Sequence, residues 1–187
     1  MPVETFIYFG YGSNMPTARL QKRCPNARPI RTAIALGYFL GFCKRSNDCS
    51  GKATLGRTEG LQHEGRGVLG VTFEIPRDEL TNLDVAEGKG YDRCDTFEVV
   101  CLSDGNSITT TAYLASPNAC DQSLVPYDWY RALILAGALE HKLPDSYIAG
   151  LRSVSVQSDP KPNRETRQEA LRVLKYSGFK SLLDECE

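Results

Sequence analysis

From Thr5 to Gly10 the chain reads TFIYFG, a run of β-branched and aromatic residues that predicts a buried strand. PTARLQKRC, residues 16–24, changes to helical spacing, with proline in the first turn, where its missing N–H does no harm. ARPIRTAIALGYFLGFCKR then predicts one long strand or two bent ones, with Gly37 and Gly41 as points of curvature or bulging. SNDCSGKATLGRTEGLQHEGR is polar and glycine-rich, which predicts a mobile surface excursion holding one short strand, KATL. GVLGVTFEI, residues 67–75, is again a strand.

PRDELTNLDVAEG follows with helix signals: Pro76 opens it, Asp78 and Glu79 lie in its first turn, and Gly88 closes it. Leu80, Leu83 and Val85 are its expected apolar stripe. RCDTFEVVCL and SITTTAYLA are two strands joined by SDGN, whose Asp-Gly marks a hairpin. YDWYRALILAGALEHKL is apolar nearly all round and predicts a buried helix, and PDSYIAGLRS opens a second. PNRETRQEALRVLKYSGFKSLLDE predicts a charged amphipathic helix. Strands and helices do not alternate regularly, so the pattern predicts an α+β domain with a curled, partly closed mixed β-sheet and flanking helices.

The chain has 187 residues, enough for one domain with a core, and its net charge of −1 gives no basic excess for nucleic acid. Its longest apolar run, Ala33–Cys43, is too short to span a bilayer. The N-terminus has no basic stretch followed by an apolar one, so no secretory signal is expected. The cysteine count is odd, at seven, with no C-x-x-C pair, which predicts reduced thiols in a cytoplasmic protein, with a disulfide framework as the alternative. The histidines, His63 and His141, lie in different segments without partners at metal-ligand spacing.

Two places carry chemistry. The first is the loop after the opening strand, GYGSNM. A loop between strand and helix leaves backbone N–H groups unpaired, and these can hold a carboxylate or a phosphate. Glycines let the main chain approach a ligand, and Ser13 and Asn14 add side-chain donors. The loop is not a P-loop, a dinucleotide fingerprint or a nucleophile elbow, since each lacks a required residue. On spacing alone the plainer reading is a tight turn between strand and helix. The second place is Glu87, in the last turn of its helix, where the dipole disfavours an anion. Asp84 lies one turn earlier on the same face. Both effects, with partial burial, raise a carboxylate pKa toward that of a general base. The plainer alternative is an exposed glutamate at a frayed helix end.

Taken together, YFGYGSN and LDVAEG resemble the signature loop and the catalytic-glutamate segment of the γ-glutamylcyclotransferases. DWYRALILAGALEHKLPDSYIAGLRSV resembles their helical end, so the likeness runs from about Phe6 to about Val154. The Y-G-S-N form differs from the G-Y-G-S-L opening of the glutathione-specific branch and from the Y-G-T-L opening of the γ-glutamylamine branch.

The resemblance implies a γ-glutamylcyclotransferase-like fold, with residues 1–187 read as a single domain and 160–187, outside the resemblance, as an added helical tail. It implies a cofactor-independent enzyme with no metal. Its partner would be a small γ-glutamyl compound, with neither nucleic acid nor membrane involved, and a homodimer is admitted. By position, Glu87 would be the general acid/base, while Tyr11, Gly12, Ser13, Asn14, Tyr91, Tyr113 and Tyr130 would bind substrate. The reaction would cyclise the glutamyl group to 5-oxoproline and release an amino acid or amine. Alternatives are the same chemistry removing a γ-glutamyl protecting group in biosynthesis, and a non-catalytic binding module. The loop 46–66 is the expected source of leaving-group preference.

Overall fold

In the computed structural model, which describes residues 3–58 and 67–186, five strands close on themselves as a barrel. The strands are β1 (Thr5–Gly10), β2 (Arg28–Leu36), β3 (Tyr38–Arg45), β4 (Gly51–Arg57), β5 (Gly67–Pro76), β6 (Tyr91–Cys101) and β7 (Ser107–Ala115). Helices are α1 (Thr17–Leu20), α2 (Leu80–Glu87), α3 (Asp128–Glu140), α4 (Asp145–Arg152) and α5 (Glu165–Tyr176). The barrel order is β1-β5-β2-β6-β7, and β3 and β4 form a separate two-stranded sheet. Antiparallel pairing runs round the barrel until β1 meets β7 in parallel at Tyr8 and Thr111. That one parallel seam makes the sheet mixed, and the α+β expectation holds.

The barrel closes around Phe9, Phe73, Phe97 and Val99, with the Phe9 and Phe97 rings stacked at 6.1 Å. Helix α3 is buried from Trp129 to Ala138, so its all-round apolar character is matched by what surrounds it. Helices α4 and α5 pack against it. The segment after Asp159 is tied to α3 as well: Trp129 Nε1 donates to Asp159 at 3.0 Å, and Arg164 grips the same carboxylate with two nitrogens.

Several expectations change. The stretch 28–45 is two strands in two different sheets, divided at Gly37, whose φ of +75° suits glycine. A register shift between Gly41 and Lys44 is the bulge expected near Gly41. The first helix is one turn, Thr17–Leu20, instead of reaching Cys24. Val85 is 76% exposed, because it lies two residues from buried Leu83 and so about 200° round the helix. The excursion is not a surface one where it is described: Ser50, Ala53, Thr54 and Leu55 are buried, and the strand runs the length of β4. His63 and the rest of 59–66 lie outside the described residues. Cys43 and Cys120 form a disulfide, against the reading of uniformly reduced thiols; spacing of 77 residues gave no sign that the fold places them together.

Candidate active site

Strand β1 ends at Gly10, and the chain turns back at once, with the Met15 N–H donating to the Gly12 carbonyl at 3.0 Å. Helix α3 fixes that turn from behind. A Cβ on Gly137 would come within 2.3 Å of Met15 Cβ, so only glycine permits this approach. His141, at the end of α3, adds a ring nitrogen 3.1 Å from the Met15 carbonyl, and burial pushes its pKa down. The N–H groups of Gly12 and Ser13 donate to no acceptor among the described residues. They are open donors of the kind expected of an anion cradle.

Glu87 closes α2, with Gly88 at φ +72° as its cap. Its carboxylate reaches the loop. Asn14 Nδ2 donates to Glu87 Oε1 at 2.6 Å and the Tyr8 hydroxyl donates to the same oxygen at 3.2 Å. Asn14 is itself oriented by Arg23, which donates to its side-chain oxygen. Burial raises the Glu87 pKa above the ordinary carboxylate value, opposed chiefly by Arg23 and the Tyr8 and Asn14 hydrogen bonds. The direction matches the expectation, but the cause differs. Asp84 is not among the groups that chiefly set the Glu87 pKa; Arg93 and the Tyr113 hydroxyl each bind Asp84 at 2.6 Å.

The tyrosines form the walls. Tyr11, Gly12, Ser13, Asn14, Glu87, Tyr91, Tyr113 and Tyr130 surround one small cavity of about 20 Å³, together with Tyr8 and Ala53. All eight residues expected at the site are therefore brought together. The Tyr113 hydroxyl is turned away to Asp84, so that residue presents its ring. Tyr11 donates to the Tyr113 carbonyl, Tyr91 donates to the Ala53 carbonyl at 2.6 Å, and Tyr130 accepts from the Ala53 N–H at 3.1 Å. Burial raises the pKa of Tyr8, Tyr11, Tyr91 and Tyr130, so these hydroxyls stay protonated.

Outward the cavity continues into a cleft of about 170 Å³ that shares Ser13, Glu87, Tyr91 and Tyr130. Its outer wall includes Arg19, Arg23, Lys44, Lys52, Asp48, Trp129 and Thr166. Sequence reading missed Tyr8, Ala53 and these cations. For Tyr8 a signal existed, since it alternates with Ile7 and Phe9 on β1 and is the only one of the three with a polar tip. No local signal marks Ala53, which acts through its backbone. Among the described residues, no cluster of three His, Cys, Asp or Glu side chains is placed to hold a metal ion.

The model of the AIG2-like family matches residues 67–151, the stretch that holds Glu87. The chain is 31% identical to human γ-glutamylcyclotransferase over 152 residues, 81% of this chain and 79% of the human one. The mouse γ-glutamylcyclotransferase is 30% identical over the same extent. A solved γ-glutamyl cyclotransferase structure superposes with a TM-score of 0.78 at 26% identity, covering 90% of this chain and 99% of that one. Bacillus subtilis YkqA shares the fold, with a TM-score of 0.63 at 21% identity over 82% of this chain and 56% of its own. The chain belongs to the γ-glutamylcyclotransferase family. No helix among the described residues is long and apolar enough to cross a membrane.

Proposed function

We propose that this protein is a γ-glutamyl cyclotransferase, converting a γ-glutamyl amino acid or amine to 5-oxoproline and the free amino acid or amine. The observation that carries the reading is the carboxylate of Glu87, raised in pKa by burial and held by Asn14 and Tyr8 beside open loop amides. The named activity of the human and mouse relatives supports it.

The substrate's α-ammonium docks against Glu87, which takes a proton and frees the nitrogen lone pair. That nitrogen attacks the γ-carbonyl carbon, forming the ring C–N bond. Because both groups belong to one molecule, holding it folded supplies much of the acceleration. Charge then develops on the former carbonyl oxygen, within reach of the Gly12 and Ser13 amides. The bond to the departing nitrogen breaks last. In all the α-nitrogen loses two protons and the departing nitrogen gains two, so Glu87 relays them and ends as it began. The neutral tyrosine hydroxyls shape the pocket without competing as bases.

The test is incubation with γ-glutamyl-alanine and detection of 5-oxoproline. Glu87→Gln keeps the shape of the side chain and removes the proton acceptor. It should abolish turnover while circular dichroism stays native, and an active variant would overturn the mechanism.

A further inference from the structure

We propose that Lys44 is the residue by which this enzyme selects its departing group, binding a carboxylate carried on the amine that leaves. The inference deepens the cyclotransferase reading and rests on it.

Lys44 lies on β3 directly opposite Lys52 on β4. Like charges in that relation weaken a hairpin. The charge of Lys52 is absorbed by its surroundings. Its Nζ is 2.8 Å from Asp48 and 4.7 Å from the ring centroids of Trp129 and Tyr130. Lys44 has no such contact partner and feels Glu87 and Asp48 only at longer range. It is 8% exposed, yet no carboxylate among the described residues lies within ion-pair distance and no acceptor takes its ammonium protons. The Tyr91 ring faces it, at 4.8 Å. The stem of Lys44 is covered while its ammonium opens on the cleft with its protons unclaimed, where an anion carried by a ligand can complete a charge-assisted pair.

The surroundings accommodate this side chain. Gly90 takes a φ of +89°, and a Cβ there would stand 3.2 Å from Lys44 Cε. The lysine side chain therefore passes close against the Gly90 backbone, beside Ala119. The ammonium ends in the outer cleft, beyond Tyr91 as seen from the catalytic cavity, where the departing part of a substrate would lie.

A charge census of the cleft gives the class of that group. Arg19 is paired with Glu169 and Lys52 with Asp48. Glu87 remains as the anion, and Arg23 and Lys44 remain as cations. A γ-glutamyl amino acid carries one ammonium and two carboxylates, which is the complementary set. The γ-glutamyl derivative of a neutral amine carries one of each and would leave one cation unmatched.

The experiment compares γ-glutamyl-alanine with its C-terminal amide and with γ-glutamyl-ethylamine, using wild type, Lys44→Met and Lys44→Arg. Wild type should favour the acid over the amide by about tenfold or more in kcat/KM. Lys44→Met should collapse that ratio toward one, chiefly through KM, and Lys44→Arg should restore most of it. Equal turnover of acid and amide by wild type overturns the proposal without any variant. So does a Lys44→Met protein that loses both substrates by the same factor. Calorimetry of the acid and amide on Glu87→Gln protein reads the site without turnover. If no compound gives 5-oxoproline, the cyclotransferase reading falls by itself, and tighter binding of the acid that Lys44→Met erases upholds the anion site. If turnover occurs while acid and amide bind equally, only the anion site is lost.

Discussion

Asn14 Nδ2 stands 2.6 Å from Glu87 Oε1, although 73 residues separate the two in the chain. One side chain belongs to the turn that follows the first strand and the other to the last turn of a short helix. The barrel brings them together. Asn14 also receives Arg23 on its oxygen, so its amide has a fixed sense: nitrogen toward Glu87, oxygen toward the guanidinium.

Asn14→Asp replaces that donor with a second carboxylate against Glu87. A like charge at hydrogen-bond distance raises the pKa further. We expect kcat/KM near pH 7 to fall by about 10- to 100-fold, with the acid limb of the pH profile moving to higher pH. An unmoved limb would mean that Glu87 does not titrate in the rate.

In the wild type, the raised Glu87 pKa puts that limb above the ordinary glutamate value of about 4.3. The same shift has a sign for stability. A carboxyl whose folded pKa is raised supports the fold fully below about pH 4.3, and the contribution is lost as pH rises through the folded value. Glu87→Gln cannot ionise, so it should melt at or above wild type near pH 7 and lose that advantage toward pH 4. Thermal melts of both proteins across that range check it.

Gly137→Ala places a Cβ 2.3 Å from Met15 Cβ and 2.8 Å from two backbone atoms of Met15 and Pro16. The front loop must shift. A loss of about 1–3 kcal/mol in chemical denaturation is expected, with a large drop in kcat. Gly150→Ala is the control, since a Cβ there meets nothing within 4 Å, and it should gain about 0.5–1 kcal/mol as a helical substitution.

Cys43–Cys120 fastens the β3–β4 hairpin to the segment after β7. A cross-link across 77 residues is worth about 2–4 kcal/mol by restricting the unfolded chain. Cys43→Ser with Cys120→Ser should lower stability by that order. It should also raise KM, because the hairpin supplies Ala53 to the pocket. Denaturation and kinetics with and without reductant would show both effects.

The parts legible in the sequence were those decided by neighbours in the chain. The β1 strand, the Asp-Gly hairpin and the buried α3 follow from local apolar rhythm, and Glu87 stood out because it violates the helix dipole. What was not legible depends on pairing across long intervals. Nothing near Ala53 reveals that its peptide group joins Tyr91 and Tyr130. Residues 51–57 look polar because Gly51, Lys52, Thr54 and Gly56 interrupt the run, yet the tyrosines and α3 cover that strand. Asp84 was expected to press on Glu87, and only the fold shows it bound by Arg93 and Tyr113. The helical end contributes to the cleft, with Thr166 on its wall and Glu169 paired to Arg19, although its sequence reads as a solvated amphipathic face.

The β3–β4 sheet lies outside the strand order of the five-stranded barrel and is tied to the segment after β7 by the Lys44–Cys120 bridge. On the proposed role of Lys44, substitutions along the hairpin retune the departing group while the strand pairing that shuts the barrel, which includes neither β3 nor β4, stays in place.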